Sequence, residues 1–206
     1  MKTLLQIRSS IFSGNGISSR LADRFVDAWR EANPEGKVML RDVASEPVPH
    51  LDGTRFAAFA TKRQERTVEQ QRVVAYSDAL IEELRSADVI VLGLPMYNFG
   101  VPSTLKAYFD HLARAGETFR YTDSGAVGLV TGNKVYVFAA RGGLYAGTAR
   151  DTQTAYVRDF LAFLGMTDVE FVYAEGLAIS AASKQQALAA AGSQIERLAS
   201  AELAAA

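Results

Sequence analysis

The feature that most constrains this chain is a regular alternation between two hydrophobic periodicities. Short runs rich in Val, Ile, Leu and Phe alternate with longer segments in which apolar residues recur every three or four positions. The run at residues 89–92 is apolar at every position, which is typical of a strand that is covered on both faces. Strands that alternate with helices predict a parallel sheet with helices packed on both sides.

The strand signal is short and repeated along the chain. The predicted strands cover residues 3–7, 38–43, 89–94, 135–140 and 169–173. Five strands separated by helices suit an α/β, flavodoxin-like doubly wound parallel sheet, in which the strand order is 2-1-3-4-5. In such a sheet, ligands bind beyond the carboxyl ends of the strands, at the point where the strand order reverses.

The helix signals fill the gaps between these strands. Apolar stripes with helical spacing contain Leu21, Leu80, Leu105, Val157 and Leu188. Thr67 and Gln70 form a capping-box pattern, and Gly165 is placed to end a helix. Two long connections remain, at residues 44–66, with a short helix predicted near 55–62, and at 116–133. Long connections in compact α/β proteins tend to be functional.

The composition favours one globular domain over residues 1–206 and limits its chemistry. The absence of cysteine excludes disulfides, thiolate metal sites and a cysteine nucleophile, and two histidines make a histidine-rich metal site unexpected. The formal net charge of −1, without a basic block, gives no footprint for a nucleic-acid partner. The longest apolar run, at residues 89–97, is too short to span a membrane. We therefore expect a cytoplasmic protein without nucleic-acid or membrane partners.

The loop after the first predicted strand, residues 9–19, is rich in hydroxyls and glycine and leads into a helix. Such a loop binds phosphate, because a helix N-terminus carries about half a positive charge; the alternative is that Ser18 or Ser19 only caps the helix. A Walker A loop is excluded, since no Gly-Lys-Ser/Thr is present. Gly14-x-Gly16-x-x-Ser19, with Asp42 after the next strand, matches the dinucleotide fingerprint weakly, and a mononucleotide such as FMN fits better.

Two further loops follow the third and fourth predicted strands. Residues 95–102 place aromatic side chains around Asn98, between two prolines, and such a loop can lie against a flat ring system. Packing at the start of the next helix is the alternative. The paired glycines Gly142 and Gly143 expose backbone N–H groups that can stabilise negative charge on a ligand, although a simple turn also explains them.

Across these loops the sequence resembles the FMN-dependent NADH-azoreductase family of flavodoxin-like NAD(P)H:quinone oxidoreductases. The segments that carry the resemblance are 9–11, 95–99, 105–110, 113–121, 128–130, 141–143 and 167–169. The block from Met96 to Tyr121 is the most specific of them.

The resemblance implies an FMN site and a reaction. The implied FMN-binding residues are Ser10, Gly16, Ile17, Ser18, Met96, Tyr97, Asn98, Phe99, Ala140, Arg141, Gly142 and Gly143. The implied substrate-binding residues are Phe119, Tyr121 and Phe163. The resemblance also implies a homodimer with two sites at its interface. It implies NADH or NADPH as the electron donor and quinones or azo compounds as the acceptors. The implied mechanism is ping-pong hydride transfer without a certain catalytic side chain.

The chain departs from the family pattern at two positions and leaves alternatives open. Gly16 and Ala140 stand where the family commonly has serine, so we expect weaker flavin binding with the backbone contacts retained. One alternative function is a flavodoxin-like electron carrier without a nicotinamide site. Another is a dinucleotide-binding dehydrogenase without flavin.

Overall fold

Successive apolar residues of the predicted strands are buried on opposite faces of one sheet. In the structure, a computed structural model that describes residues 1–204, the strands are β1 (Thr3–Arg8), β2 (Lys37–Asp42), β3 (Val89–Pro95), β4 (Phe119–Thr122), β5 (Gly125–Gly128), β6 (Lys134–Ala140) and β7 (Val169–Ala174). The helices are α1 (Ile17–Ala32), α2 (Gly53–Ala60), α3 (Val68–Arg85), α4 (Ser103–Leu112), α5 (Thr154–Leu164) and α6 (Ala181–Ala204).

Five of the strands form a parallel sheet in the order β2-β1-β3-β6-β7. This confirms the flavodoxin-like order 2-1-3-4-5, because β4 and β5 form a separate two-stranded hairpin. Ile90 and Leu92 of β3 pack toward α3, α4 and α5, whereas Val89 and Val91 pack toward α1 and α6. Each face of the sheet therefore carries its own apolar core.

Local signals place most helix ends where the sequence predicts them. Thr67 and Gln70 form the capping box at the start of α3, and Gly165 ends α5 with a φ of 112°. The short helix predicted near 55–62 begins and ends earlier, at Gly53–Ala60, because the Asp52 side chain accepts a hydrogen bond from the Arg55 N–H. Among residues 1–204, no helix is both long enough and apolar enough to cross a membrane.

The hairpin of β4 and β5 was not predicted as such. It occupies the long connection at 116–133 and is antiparallel. A Cβ built on Gly128 would lie 2.1 Å from the Gly165 nitrogen, so only glycine permits this backbone contact. The contact fixes the hairpin at the C-terminal end of α5. That end lies at the amino-terminal edge of the sheet, since helices run antiparallel to the strands they connect.

A buried histidine on α4 makes stability dependent on pH. His111 is fully buried, packs edge-on against Phe59 and Tyr76, and donates from Nδ1 to the Ala107 carbonyl oxygen over 3.0 Å. Burial lowers the pKa of His111, and the hydrogen bond to Ala107 only partly offsets this. The folded state therefore disfavours the protonated ring, which the unfolded chain accepts.

We expect the free energy of unfolding to be fully retained above the unfolded pKa of about 6.5 and to fall as the pH is lowered toward the folded pKa. Urea unfolding from pH 7 downward measures this loss. His111→Gln should flatten the profile in that window, whereas His50→Gln, at an exposed loop position, should not. Equal slopes in the wild type and His111→Gln would contradict the assignment.

Candidate functional site

Three loops meet at the carboxyl edge of the sheet because β1, β3 and β6 are neighbours. Ser9 Oγ donates to the Gly93 carbonyl oxygen over 2.7 Å, which joins the first loop to β3. The Met96 N–H donates to the Ala140 carbonyl oxygen over 3.1 Å, which joins the second loop to β6. The structure thus brings together the three segments in which the predicted cofactor residues lie.

The N-terminus of α1 is built to receive an anion. Its first turn contains no acidic residue, and its N-cap, Gly16, supplies no capping side chain. Ser18 and Ser19 are buried, and neither hydroxyl has a hydrogen-bond partner within the described residues. A buried hydroxyl without a partner is costly, and these two lie at a helix N-terminus, so they are available to a ligand there.

Ser10 lies directly beneath this turn. Its Oγ accepts from the Phe12 N–H over 3.2 Å and lies 3.2 Å from the Tyr97 hydroxyl. The Tyr97 hydroxyl also accepts from the Ile11 N–H over 3.3 Å. These bonds connect the hydroxyl-rich loop to the aromatic loop. They also explain Gly16, because a Cβ there would lie 2.1 Å from Ser10 Oγ.

The aromatic loop is a tight turn with two left-handed residues. Tyr97 and Gly100 exchange backbone hydrogen bonds of 3.2 and 2.9 Å, and between them Asn98 and Phe99 have φ angles of 50° and 63°. Phe99 is half exposed, and its ring lies edge-on to that of Tyr145, with 5.6 Å between the centroids. This turn offers an apolar wall for a flat ligand.

The loop after β6 offers backbone donors. Within residues 1–204, neither the Gly142 nor the Gly143 N–H donates to another group, whereas the Gly142 and Gly143 carbonyls accept from Ala178 and Gly176. A Cβ on Gly143 would lie 2.6 Å from the Tyr145 hydroxyl, so the Tyr145 ring packs closely against the backbone of this turn. Both N–H groups are therefore without a partner within the described residues.

The family resemblance names Arg141 as a cofactor-binding residue, and the structure shows what its side chain contacts. Its guanidinium is fully enclosed, pairs with Asp151 over 2.9 Å and with Glu175 over 3.1 Å, and lies over the ring of Tyr173. Burial by itself raises the pKa of Asp151, but hydrogen bonds from Thr154 and Arg141 outweigh it and lower that pKa. The side chain of Arg141 is therefore part of the support of this loop and does not point to a ligand.

The predicted substrate residues form a group of their own, remote from these loops. The Phe119 ring lies 4.2 Å from that of Phe163 and 5.4 Å from that of Tyr121. Tyr121 is 75% exposed and borders a cleft of about 290 Å³. The cleft is lined by Leu51, Phe56, Phe59, Ala113, Phe119 and Tyr121. Because the hairpin lies at the opposite edge of the sheet, one chain does not bring these aromatics to the three loops.

The carboxylate predicted for a dinucleotide ribose is already in use. Asp42 accepts from the Ala44 and Ser45 N–H groups over 3.0 and 3.1 Å, and it also accepts from Ser13 Oγ. It therefore shapes the turn after β2, which speaks against a dinucleotide-binding site.

Several residues that shape the site were not assigned to it from the sequence. Four of them hold loops by their side chains, namely Ser9, Asp151, Gln153 and Glu175. The fifth is Ser19, whose hydroxyl oxygen has no partner within the described residues. Only Ser9 and Ser19 carried a signal, as members of the hydroxyl-rich loop. The other three act through partners that are distant in sequence.

The chain matches known proteins along nearly its full length. A family model described as the flavodoxin-like fold matches residues 1–199. An FMN-dependent NADH:quinone oxidoreductase from Cellvibrio japonicus is 57% identical, covering 96% of this chain and 98% of the relative. A protein of the same name from Alcanivorax borkumensis is 54% identical, with 93% and 97% covered.

Solved structures show the same relation. An azoreductase from Bacillus anthracis superposes with a TM-score of 0.89 at 27% identity, covering 97% of this chain and 99% of that one. An FMN-dependent NADH-azoreductase from the same species, solved in complex with FMN, gives a TM-score of 0.85 at 28% identity, with 97% and 100% covered. The match of the whole fold and the level of identity lead to one conclusion: this chain belongs to the flavodoxin-like family of FMN-dependent NADH:quinone oxidoreductases.

Proposed function

We propose that this protein is an FMN-dependent NAD(P)H oxidoreductase that reduces quinones and azo compounds. The relatives named above support the reaction class. The observation that carries the proposal is the buried hydroxyl of Ser18 at the N-terminus of α1, which has no partner within the described residues. It lies beside an apolar turn and two backbone N–H groups that are likewise unpaired within residues 1–204. The proposed unit is one domain of 206 residues. Its proposed location is the cytoplasm, because the reaction consumes a reduced nicotinamide.

The residues present fit FMN. Ser10, Ser18 and the backbone from Gly16 through Ile17 would hold the phosphate and the sugar chain, because they combine hydroxyls with a helix N-terminus. Met96 to Phe99 would border the ring, and the N–H groups of Gly142 and Gly143, next to Ala140, would face its polar end. When bound, FMN supplies hydride acceptance and hydride donation, and the protein supplies binding and orientation.

The chain's own contribution is positioning rather than proton chemistry. The aromatic loop excludes water on one side, and the N–H groups after β6 favour negative charge at the same place. Arg141 is enclosed, so its side chain is not assigned to the reaction. Solvent is the proposed proton source.

Steady-state turnover tests this function. Donor and acceptor are proposed to use one opening in turn, since a single set of loops forms the wall. Turnover of a small quinone with NADH, and separately with NADPH, should therefore give parallel double-reciprocal lines. Intersecting lines would refute the shared opening. A flavin-containing protein without nicotinamide turnover would instead support an electron carrier.

We further propose a homodimer in which the aromatic group of one copy completes the site of the other. Tyr121 and Phe56 are 75% and 64% exposed around the same cleft, and aromatic surface of this kind favours a covering partner. A second copy would also account for the distance between these aromatics and the three loops within one chain.

Tyr121→Ala should raise KM and change acceptor preference while FMN content stays constant, because the side chain lies on the proposed substrate wall. Kinetics with two quinones of different width measure this. Leu40→Ala, at another exposed apolar position, serves as the control. Loss of FMN with acceptor preference unchanged would contradict the role of Tyr121. Sedimentation at micromolar protein showing only a 22.3 kDa species would contradict the dimer.

A further inference from the structure

We propose that Gln153 is a positioning residue for the flavin ring. Its buried amide fixes the strained Asn98–Phe99 turn against the start of α5 and so sets where the aromatic wall stands. The inference rests on the proposed function, because it takes FMN as the ligand that binds against this turn.

The amide of Gln153 holds both ends of the turn. Gln153 is fully buried, and its Nε2 donates to the carbonyl oxygens of Pro95 and Gly100, each over 2.9 Å. Pro95 is the last residue of β3, and Gly100 closes the turn by its backbone bonds with Tyr97. One side chain therefore spans the whole segment that would border the ring.

The turn needs such a restraint. Its two central residues have φ angles of 50° and 63°, a conformation that Asn98 tolerates but that is unfavourable for Phe99. A strained backbone persists only where its surroundings over-determine it. Thr152 supplies a second restraint, because its hydroxyl donates to the Phe99 carbonyl oxygen.

The same short segment also anchors the loop after β6. Asp151 pairs with Arg141 over 2.9 Å and caps α5 by accepting from the Thr154 N–H over 3.0 Å. Residues 151–153 therefore join the aromatic turn to the loop that carries Gly142 and Gly143. A change at Gln153 should move one wall of the proposed ring site relative to the other.

The chemistry of Gln153 makes a clean substitution possible. Its Oε1 has no partner within the described residues, so only the two N–H bonds are in use. Gln153→Met keeps the length of the side chain and removes both donors. The Pro95 carbonyl oxygen then loses this donor, and the Gly100 carbonyl oxygen keeps only the Tyr97 N–H among the described residues. Gln194→Met is the matched control, because Gln194 makes a single long bond of 3.4 Å, from its Nε2 to the Phe171 carbonyl oxygen.

The experiment compares the two variants in two measurements. Hydrogen exchange in FMN-free protein follows the amides of Tyr97 and Gly100, and titrations give the affinities for FMN and for riboflavin, which lacks the phosphate. We expect Gln153→Met to accelerate exchange at both amides and to raise both dissociation constants by a similar factor, about tenfold, which corresponds to ~1.4 kcal/mol. The visible circular dichroism of bound FMN should change as well. Gln194→Met should alter none of these.

Three results for Gln153→Met would overturn the inference. The first is unchanged hydrogen exchange at Tyr97 and Gly100, and the second is faster exchange with unchanged affinity for riboflavin. The third is a loss of affinity for FMN but not for riboflavin, because that result would place the effect at the phosphate and not at the ring. If Gln153→Met does not fold, Thr152→Val at an exposed position tests the same turn. It should accelerate exchange at Gly100 and weaken riboflavin binding, and no change in either overturns the inference. A wild-type protein that binds neither flavin would refute the proposed function, whereas the exchange measurement would still decide whether Gln153 holds the turn.

Discussion

Replacing Arg141 with leucine is expected to lower the free energy of unfolding by about 3–5 kcal/mol, which is the usual cost of breaking a buried ion pair from one side. The guanidinium is fully enclosed and bonds to Asp151 and Glu175. Leucine would leave both carboxylates without their cation. Because Glu175 also accepts from the Tyr145 N–H over 2.9 Å, the loop after β6 should loosen as the stability falls.

Urea unfolding followed by circular dichroism measures this effect. Arg158→Leu is the control, because Arg158 is exposed. Within the described residues its guanidinium bonds only to the Val169 carbonyl oxygen, over 3.1 Å, and it lies over the ring of Phe171. We expect the control to change stability by no more than about 0.5 kcal/mol. A similar loss in both variants would show that the buried network contributes little.

Ser18→Ala should have the opposite effect. It should strongly weaken FMN binding and leave the free energy of unfolding of the FMN-free protein almost unchanged. A hydrogen bond to a charged phosphate is worth about 1.5–3 kcal/mol, so the dissociation constant for FMN should rise roughly 10- to 100-fold. The FMN-free protein should keep its stability, because the Ser18 hydroxyl has no partner to lose within the described residues. Affinity for riboflavin should not change.

Ser77→Ala provides the crossed control for this prediction. The Ser77 hydroxyl is equally buried, but it donates to the His111 carbonyl oxygen over 2.6 Å, away from the three loops. We expect Ser77→Ala to lower stability and to leave FMN binding unchanged. An FMN affinity that survives Ser18→Ala would remove the phosphate from the N-terminus of α1.

The sheet could be predicted because its signals are local. Each strand of the sheet is indicated by a short apolar run. The capping box at Thr67 and the glycine at position 165 mark helix ends through residues that are close in sequence. The hairpin of β4 and β5 lacked such a signal. It is held by the backbone contact between Gly128 and Gly165, which depends on the folded arrangement of α5.

The candidate site was predictable only in part, for the same reason. The strand order determines where the three loops lie, so their position at the carboxyl edge of the sheet could be predicted. The resemblance names Arg141 as a cofactor-binding residue, and no local pattern shows that its side chain turns inward toward Asp151 and Glu175. The Gln153 amide meets Pro95 across 58 positions, a pairing that no local pattern encodes. Tyr121 was expected at the ring, but within one chain it lies with the hairpin at the other edge of the sheet.

The close approach of Ser10 to Gly16 restricts how this protein can evolve. A Cβ at position 16 would lie 2.1 Å from Ser10 Oγ and 2.5 Å from Ser10 Cβ, so the two side chains exclude one another in this geometry. A serine at position 16, which the family commonly has, therefore requires the Ser10 side chain or the first turn of α1 to shift. The two positions are therefore coupled, so a substitution at one should change the effect of a substitution at the other.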